Sequence, residues 1–179
     1  MTAQEAGPRD AGPISRFLSD DHLRLHGLLA RAVADPAAID RGPYDAFRGG
    51  LLRHIALEEK VLLPAAREAQ GGEPLPLARR LRVEHGAIAS LLVPTPTHAL
   101  VAEIRKILDP HNLLEEAPDG LYATCDGLLA ARADELVARM AAYPAVKVAA
   151  YNDGPRVLRT AEAALEQSAK QAEARSGPR

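Results

Sequence analysis

Four stretches of the chain repeat apolar residues at the period of an amphipathic helix, and each stripe is interrupted by imidazole or carboxylate side chains. Predicted helix A takes Ser19 as its N-cap, with Asp20 and Asp21 in a first turn where acidic groups suit the helix dipole. It runs to about Val33, before the Asp35-Pro36 break. Its stripe is Leu18, His22, Leu25 and Leu29. Helix B opens with Pro43 in its first turn, continues to about Gln70 and stops at Gly71-Gly72. Its stripe is Leu51, His54, Ile55, Glu58, Leu62 and Ala65, and the Gly49-Gly50 pair marks either a bend or a close helix contact. Helix C fits Pro76 to Val93, with His85 among Leu81, Ile88 and Leu92. Helix D runs from Thr97 to about Glu116 and lines up Leu100, Ile104, Leu108, His111 and Glu115. Pro110 predicts a kink or a restart within it.

A fifth helical stretch is expected from about Leu121 to Tyr143, then an extended or looped segment over Pro144–Pro155. An Ala-rich helix with a thin apolar face follows over Arg156–Ala174. The expected class is all-α. Residues 1–13 read as a disordered arm, 14–129 as an up-down-up-down antiparallel four-helix bundle, and 130–179 as a helical or extended C-terminal extension. Helices A plus B and C plus D form a weak internal repeat.

Composition narrows the classes. A chain of 179 residues is one domain, or one domain with a tail. Aromatics make up 3% and Trp is absent, so aliphatic residues and Ala must build the core. A net charge of −2 gives no reason to expect a nucleic-acid surface. No apolar run has the length of a membrane span, and Met1 to Asp10 lacks the apolar segment of a signal peptide. The single cysteine, Cys125, excludes an internal disulfide and points to a reducing compartment, the cytoplasm.

The chemistry sits in the stripes. His-x-x-x-Glu-Glu occurs twice, at His54–Glu59 and His111–Glu116, each preceded one helix upstream by a single histidine, His22 and His85. Residues four apart lie about 40° apart around a helix, so His54 and Glu58 point the same way, as do His111 and Glu115. An ionised carboxylate on a buried stripe costs several kcal/mol without a partner. A bound cation removes that cost. One histidine on an apolar face is more often a hydrogen-bonded core residue than a ligand; six inward groups in repeated order weigh towards metal: His22, His54, Glu58, His85, His111 and Glu115. Reflected through the A–B turn, His22 lands beside His54, while His85 and His111 match to within about one helical turn. His26 borders the helix A stripe and reads as a surface or core-edge residue, with ligation the alternative. His98 is expected to be exposed, and Glu59 and Glu116 to face solvent or neighbouring helices, with coordination the alternative if the helix rotates. Asp21 or Glu84 could orient a ligand imidazole, although each points away from the one beside it. Tyr122 and Cys125 follow the helix D site and could approach it; a packed phenol and an inert thiol are the expected reading.

These residues resemble the hemerythrin-like family, the HHE cation-binding domains, over about Ile14 to Leu129. The likeness rests on Asp21-His22, His54-x-x-x-Glu58-Glu59 with Leu62-Leu63-Pro64, Glu84-His85, and His111-x-x-x-Glu115-Glu116. The resemblance implies a non-haem di-iron centre, with the four histidines as terminal ligands and Glu58 and Glu115 bridging. Mixed imidazole and carboxylate ligation also admits manganese or zinc. Oxygen carriers of this family have a second histidine where this chain has Ala89, and place the helix D carboxylate at five residues; here Glu115 is at four and Glu116 at five. The chain has no Glu-x-x-His motif, which disfavours a ferritin-like reading. Two nitrogens and two oxygens per metal leave open positions, which suit reaction with O2, peroxide or NO more than reversible oxygen carriage. The expected function is to bind or react with such a small oxidant, or to sense oxygen or iron. The alternatives are an oxidase- or peroxidase-like enzyme and a metal-free helical interaction module. Expected partners are a small diatomic or peroxide ligand, with a homodimer through residues 130–179 left open, and neither nucleic acid nor membrane.

Overall fold

The computed structural model describes residues 11–176, which contain helices and connecting turns but no strand. Helix α1 spans Pro13–Ala32, so it begins six residues before the expected Ser19 cap. The reason lies far off in sequence. The backbone N–H groups of Ile14 and Ser15 donate to the Asp126 carboxylate at 2.9 and 3.1 Å, so a distant side chain satisfies the first turn. Of the arm expected over residues 1–13, residues 1–10 lie outside the described residues and Pro13 belongs to α1.

Expected helix B is α2, Arg41–Leu57, a π turn over Glu58–Leu62, and α3, Leu63–Ala69. Asp40 caps it by accepting from the Gly42 N–H at 3.0 Å. Pro64 explains the π turn. It has no N–H to offer the Lys60 carbonyl and its ring would press against that carbonyl, so the chain widens and Leu63 N–H bonds Glu58 O instead. The helix ends where Gly71 and Gly72 adopt φ 78° and 103°, with Gly72 N–H bonding Arg67 O and Gly71 N–H bonding Glu68 O. Gly50 settles the glycine pair as a close contact, since a Cβ there would stand 2.7 Å from Leu25 Cδ2 of α1.

Helix α4 spans Ala78–Leu91 and α5 spans His98–Glu116, with Thr97 capping α5. Pro110 lies exposed inside an uninterrupted α5, so the helix does not restart there. The expected fifth helix divides into α6, Leu121–Leu128, and α7, Ala133–Ala141. Leu129 is buried at φ −110°, ψ 15°, and a 3-10 turn re-aims the chain so that α7 packs on α1 and buries Leu136 and Met140. Residues 144–160 then form no helix and strap the outside of α2. Buried Arg48 donates to Leu92 O at 2.7 Å and Ala149 O at 2.9 Å, and its guanidinium lies 4.1 Å from the Tyr151 ring centre. Helix α8, Ala161–Ser176, lies along α4. Its thin face is enough because the partner is thinner still: Gly86 faces Ser168, whose Oγ would be 2.4 Å from a Cβ on Gly86.

The apolar core comes in two parts. One gathers Leu18, Leu57, Leu81 and Leu121. The other gathers Leu25, Leu51, Ile88 and Leu108. On α1, α2, α4 and α5 the change from one to the other falls at the inward histidine, so a polar layer separates them. No helix among the described residues is long and apolar enough to cross a membrane.

Candidate metal centre

The polar layer contains all six residues expected from the helical period: His22, His54, Glu58, His85, His111 and Glu115. Each is at most 6% exposed, and both carboxylates are fully buried. They form two halves. In one, ligand atoms of Glu58, His85, His111 and Glu115 all lie within 4.8 Å of one another; in the other, those of His22, His54 and Glu115 do. Both sets could hold a metal ion. The mismatch in depth between His85 and His111 disappears in the fold, where their Nε2 atoms are 3.1 Å apart.

Each carboxylate reaches both halves. Glu58 Oε1 is 3.5 Å from His54 Nε2, and its Oε2 is 3.1 Å from His85 Nε2. Glu115 Oε2 is 3.5 Å from His22 Nε2, and its Oε1 is 3.0 Å from His111 Nε2. Glu115 therefore faces inward and Glu116 does not, which resolves the helix D register. The π turn begins at Glu58, where the widened backbone carries the inward carboxylate.

An outer ring of carboxylates holds the imidazoles from behind. Asp21 Oδ2 accepts from His54 Nδ1 at 2.8 Å, Glu59 Oε1 from His85 Nδ1 at 2.9 Å, Glu84 Oε2 from His111 Nδ1 at 2.7 Å, and Glu116 Oε1 from His22 Nδ1 at 2.6 Å. Asp21 and Glu84 thus do orient imidazoles, though not the ones beside them. Each points away from the imidazole beside it in sequence, as expected, and thereby reaches the imidazole on the next helix. The four contacts close a circuit: α1 holds α2, the π turn holds α4, α4 holds α5, and α5 holds α1. With every Nδ1–H committed outward, a neutral imidazole presents the Nε2 lone pair to the centre. Glu58 Oε2 and Glu115 Oε1 then face lone pairs at 3.0–3.1 Å and have no hydrogen-bond partner.

Tyr122 takes the alternative role, approaching the site rather than only packing. Its hydroxyl enters the first half from α6, donating to Glu58 Oε1 at 2.7 Å and lying 3.1 Å from Glu115 Oε2 and 3.2 Å from both His22 Nε2 and His54 Nε2. The helical period gives no sign of this, because Tyr122 follows the Pro118-Asp119-Gly120 break. His26 is exposed and outside the cluster. His98 is half-buried rather than exposed, and its Nε2 is without a hydrogen-bond partner. Cys125 is a buried free thiol pushed up to about 12 by burial and by the Asp126 and Glu58 charges.

Electrostatics shows how strongly the layer favours cations. Burial opposes charge on His54, yet Glu58 and Asp21 outweigh it and raise the imidazole to about 9. His111 is likewise raised to about 9, against its burial, by Glu115 and Glu84. His85 rises well above its ordinary value through Glu115, Glu58 and Glu59, again against burial. Glu58 is held well below the usual carboxylate range by His54 and His85, although burial pushes the other way. Protons and metal ions compete for the same inward lone pairs.

The fold and this layer define a helical protein with a buried histidine–carboxylate cluster capable of holding cations. The family model for the hemerythrin HHE cation-binding domain matches residues 14–118, and the chain belongs to that family. No curated protein and no solved structure matches the chain.

Proposed function

We propose that the protein is a hemerythrin-like non-haem di-iron protein that binds or reacts with a small oxidant. His22 and His54 would hold one metal, His85 and His111 the other, and Glu58 and Glu115 would bridge the two. In this reading α1, α2–α3, α4 and α5 are the members of an up-down-up-down bundle within residues 14–129, with residues 130–179 as its extension. The observation that carries the proposal is the pair of buried carboxylate oxygens, Glu58 Oε2 and Glu115 Oε1, set against imidazole nitrogens without a hydrogen bond. Facing neutral imidazoles, such oxygens cost several kcal/mol in an apolar interior, and a cation between them offsets that cost.

The residues present fit iron: nitrogens and carboxylate oxygens, with no thiolate in the set. Iron bound there supplies redox chemistry and Lewis acidity towards O2, peroxide or NO. The chain's own groups do the rest. The outer carboxylates orient each imidazole and fix its tautomer. The two apolar cores exclude water above and below the layer. Ligand groups at most 6% exposed restrict access to molecules of diatomic or peroxide size. A surface cavity of about 690 Å³ between α2, α4 and α8 has Ile55, His85 and Ala89 in its lining, which brings solvent against the His85–His111 half.

Metal analysis of the purified protein tests the reading, together with Glu58→Ala and Glu115→Ala. We expect about two iron ions per chain in the unaltered protein and loss of most metal in each variant, with chelator lowering the Tm of the unaltered protein only. Equal metal content in all three would refute the site. A metal-free protein of unchanged stability in chelator would support the helical interaction module instead.

A further inference from the structure

From the crowding around one hydroxyl we infer that Tyr122 is a protein ligand to the metal of the His22–His54 half, so that the two metals have unequal protein coordination. The inference rests on the metal reading above and adds a residue that the His-x-x-x-Glu pattern does not contain.

Four atoms surround the Tyr122 oxygen: Glu58 Oε1 at 2.7 Å, Glu115 Oε2 at 3.1 Å, His22 Nε2 at 3.2 Å and His54 Nε2 at 3.2 Å. These are the four atoms assigned to the first metal. A phenol has one proton to give. In the neutral form that metal binding needs, His22 and His54 donate their Nδ1 protons outward to Glu116 and Asp21, so all four inward atoms are acceptors and one O–H cannot serve them all. A cation can. Any ion bound by those four atoms has the phenol oxygen beside it, because the oxygen already sits among them. On coordination an O–metal bond replaces the O–H bond, and the released proton passes to solvent, as it does whenever a protonated ligand takes up a metal. Phenolate oxygen is an established ligand type for iron(III).

The position of Tyr122 is built. The side chain is 1% exposed and packed with Leu57, Leu62 and Leu121 in one of the two cores. Its helix starts after Gly120, where a Cβ would stand 2.5 Å from Leu114 O and 2.7 Å from Glu115 O, so only glycine lets α6 begin this close to the end of α5. Among the described residues nothing equivalent enters the other half. There Glu58 Oε2 and Glu115 Oε1 have no hydrogen-bond partner, and the residue one turn beyond His85 is Ala89. The first metal receives five protein donors, the second four. The free position for an external molecule therefore belongs to the His85–His111 half, where His85 and Ala89 line the 690 Å³ cavity; the cavity of about 560 Å³ on the other side meets Tyr122 itself.

The test is the visible absorption and resonance Raman spectrum of the full-length protein loaded with iron(III), with iron per chain measured on each sample. We expect a phenolate-to-iron charge-transfer band and tyrosinate ring modes in the unaltered protein. Both should vanish in Tyr122→Phe at unchanged iron content and persist in Tyr44→Phe, whose phenol is buried in the other core. Ring-deuterated tyrosine in the unaltered chain should shift the same modes, which keeps the test decisive if Tyr122→Phe folds poorly. A full iron complement without the band, or a band that survives Tyr122→Phe, overturns the inference and leaves the metal site standing. Absence of bound iron in the unaltered protein overturns both.

Discussion

The two halves of the polar layer are built from the same parts and completed differently. Each has two histidines from neighbouring helices, one oxygen from each of Glu58 and Glu115, and outer carboxylates that grip the imidazoles from behind. In the α1–α2 half a phenol from α6 fills the centre; in the α4–α5 half two carboxylate oxygens are left without a hydrogen-bond partner. The repeated motif supplies the symmetry. The asymmetry comes from residues outside the repeat, Tyr122 on one side and Ala89 with the cavity under α8 on the other. In the proposed reading the repeat decides that metal binds, and the unrepeated residues decide where a small molecule can reach it.

The comparison breaks most sharply on the histidines. His54→Ala removes a group from one half and His111→Ala from the other, so each should lower metal from about two to about one ion per chain. The phenolate band should go with the first and survive the second. Loss of both metals in either variant, read by elemental analysis, would mean that the halves act as one unit.

A proton-for-metal exchange is the next largest effect. In metal-free protein His54 and His111 have folded values of about 9, above the ordinary 6.5, and His85 is also raised. Groups raised on folding contribute stability that is fully present below pH 6.5 and is lost as pH rises through about 9. Metal-free protein should therefore lose on the order of 3 kcal/mol for each of His54 and His111 over that interval. At the acid end Glu58, Asp21, Glu59 and Glu84 are lowered, so their contribution is present above the unfolded range and is lost as pH falls through their folded values. Metal-loaded protein should not share the alkaline loss, because binding needs the neutral imidazole. Thermal melts with and without chelator at pH 6.5 and 9 compare the two; equal slopes would contradict the exchange.

Smaller effects separate the outer carboxylates. Asp21→Asn and Glu84→Gln should each weaken metal affinity about 10- to 100-fold, the first in the His54 half and the second in the His111 half. Competition with a chelator of known affinity reads this directly, and an unchanged affinity would reduce the outer ring to packing. Least of all, Gly86→Ala should cost about 1 kcal/mol by pressing α8 off α4, read as a modest fall in Tm. It touches only the α4 side, so the phenolate band should be unchanged.

Much of the inner layer was legible in the sequence because a helix converts spacing into direction. His54 with Glu58, and His111 with Glu115, could be set on one face from their separation alone, and the apolar residues around them said that the face was buried. What lay beyond was tertiary. Ser19 looked like a cap because a local acceptor was the only one visible, while the real acceptor, Asp126, comes from α6. Asp21 and Glu84 point away from the imidazoles beside them, an argument sound within one helix that says nothing about the helix next door. Tyr122 stood after a turn that ends every periodic argument. Pro64 did carry a local sign of the π turn, since a proline inside a helix must displace the carbonyl four residues back.

The most direct test of the account is an anomalous difference map collected at the iron edge from crystals of iron-loaded protein. The account predicts two peaks within the polar layer, one among His22, His54 and Tyr122 and one between His85 and His111, with Glu58 and Glu115 touching both. A single peak, or peaks away from this layer, would contradict it.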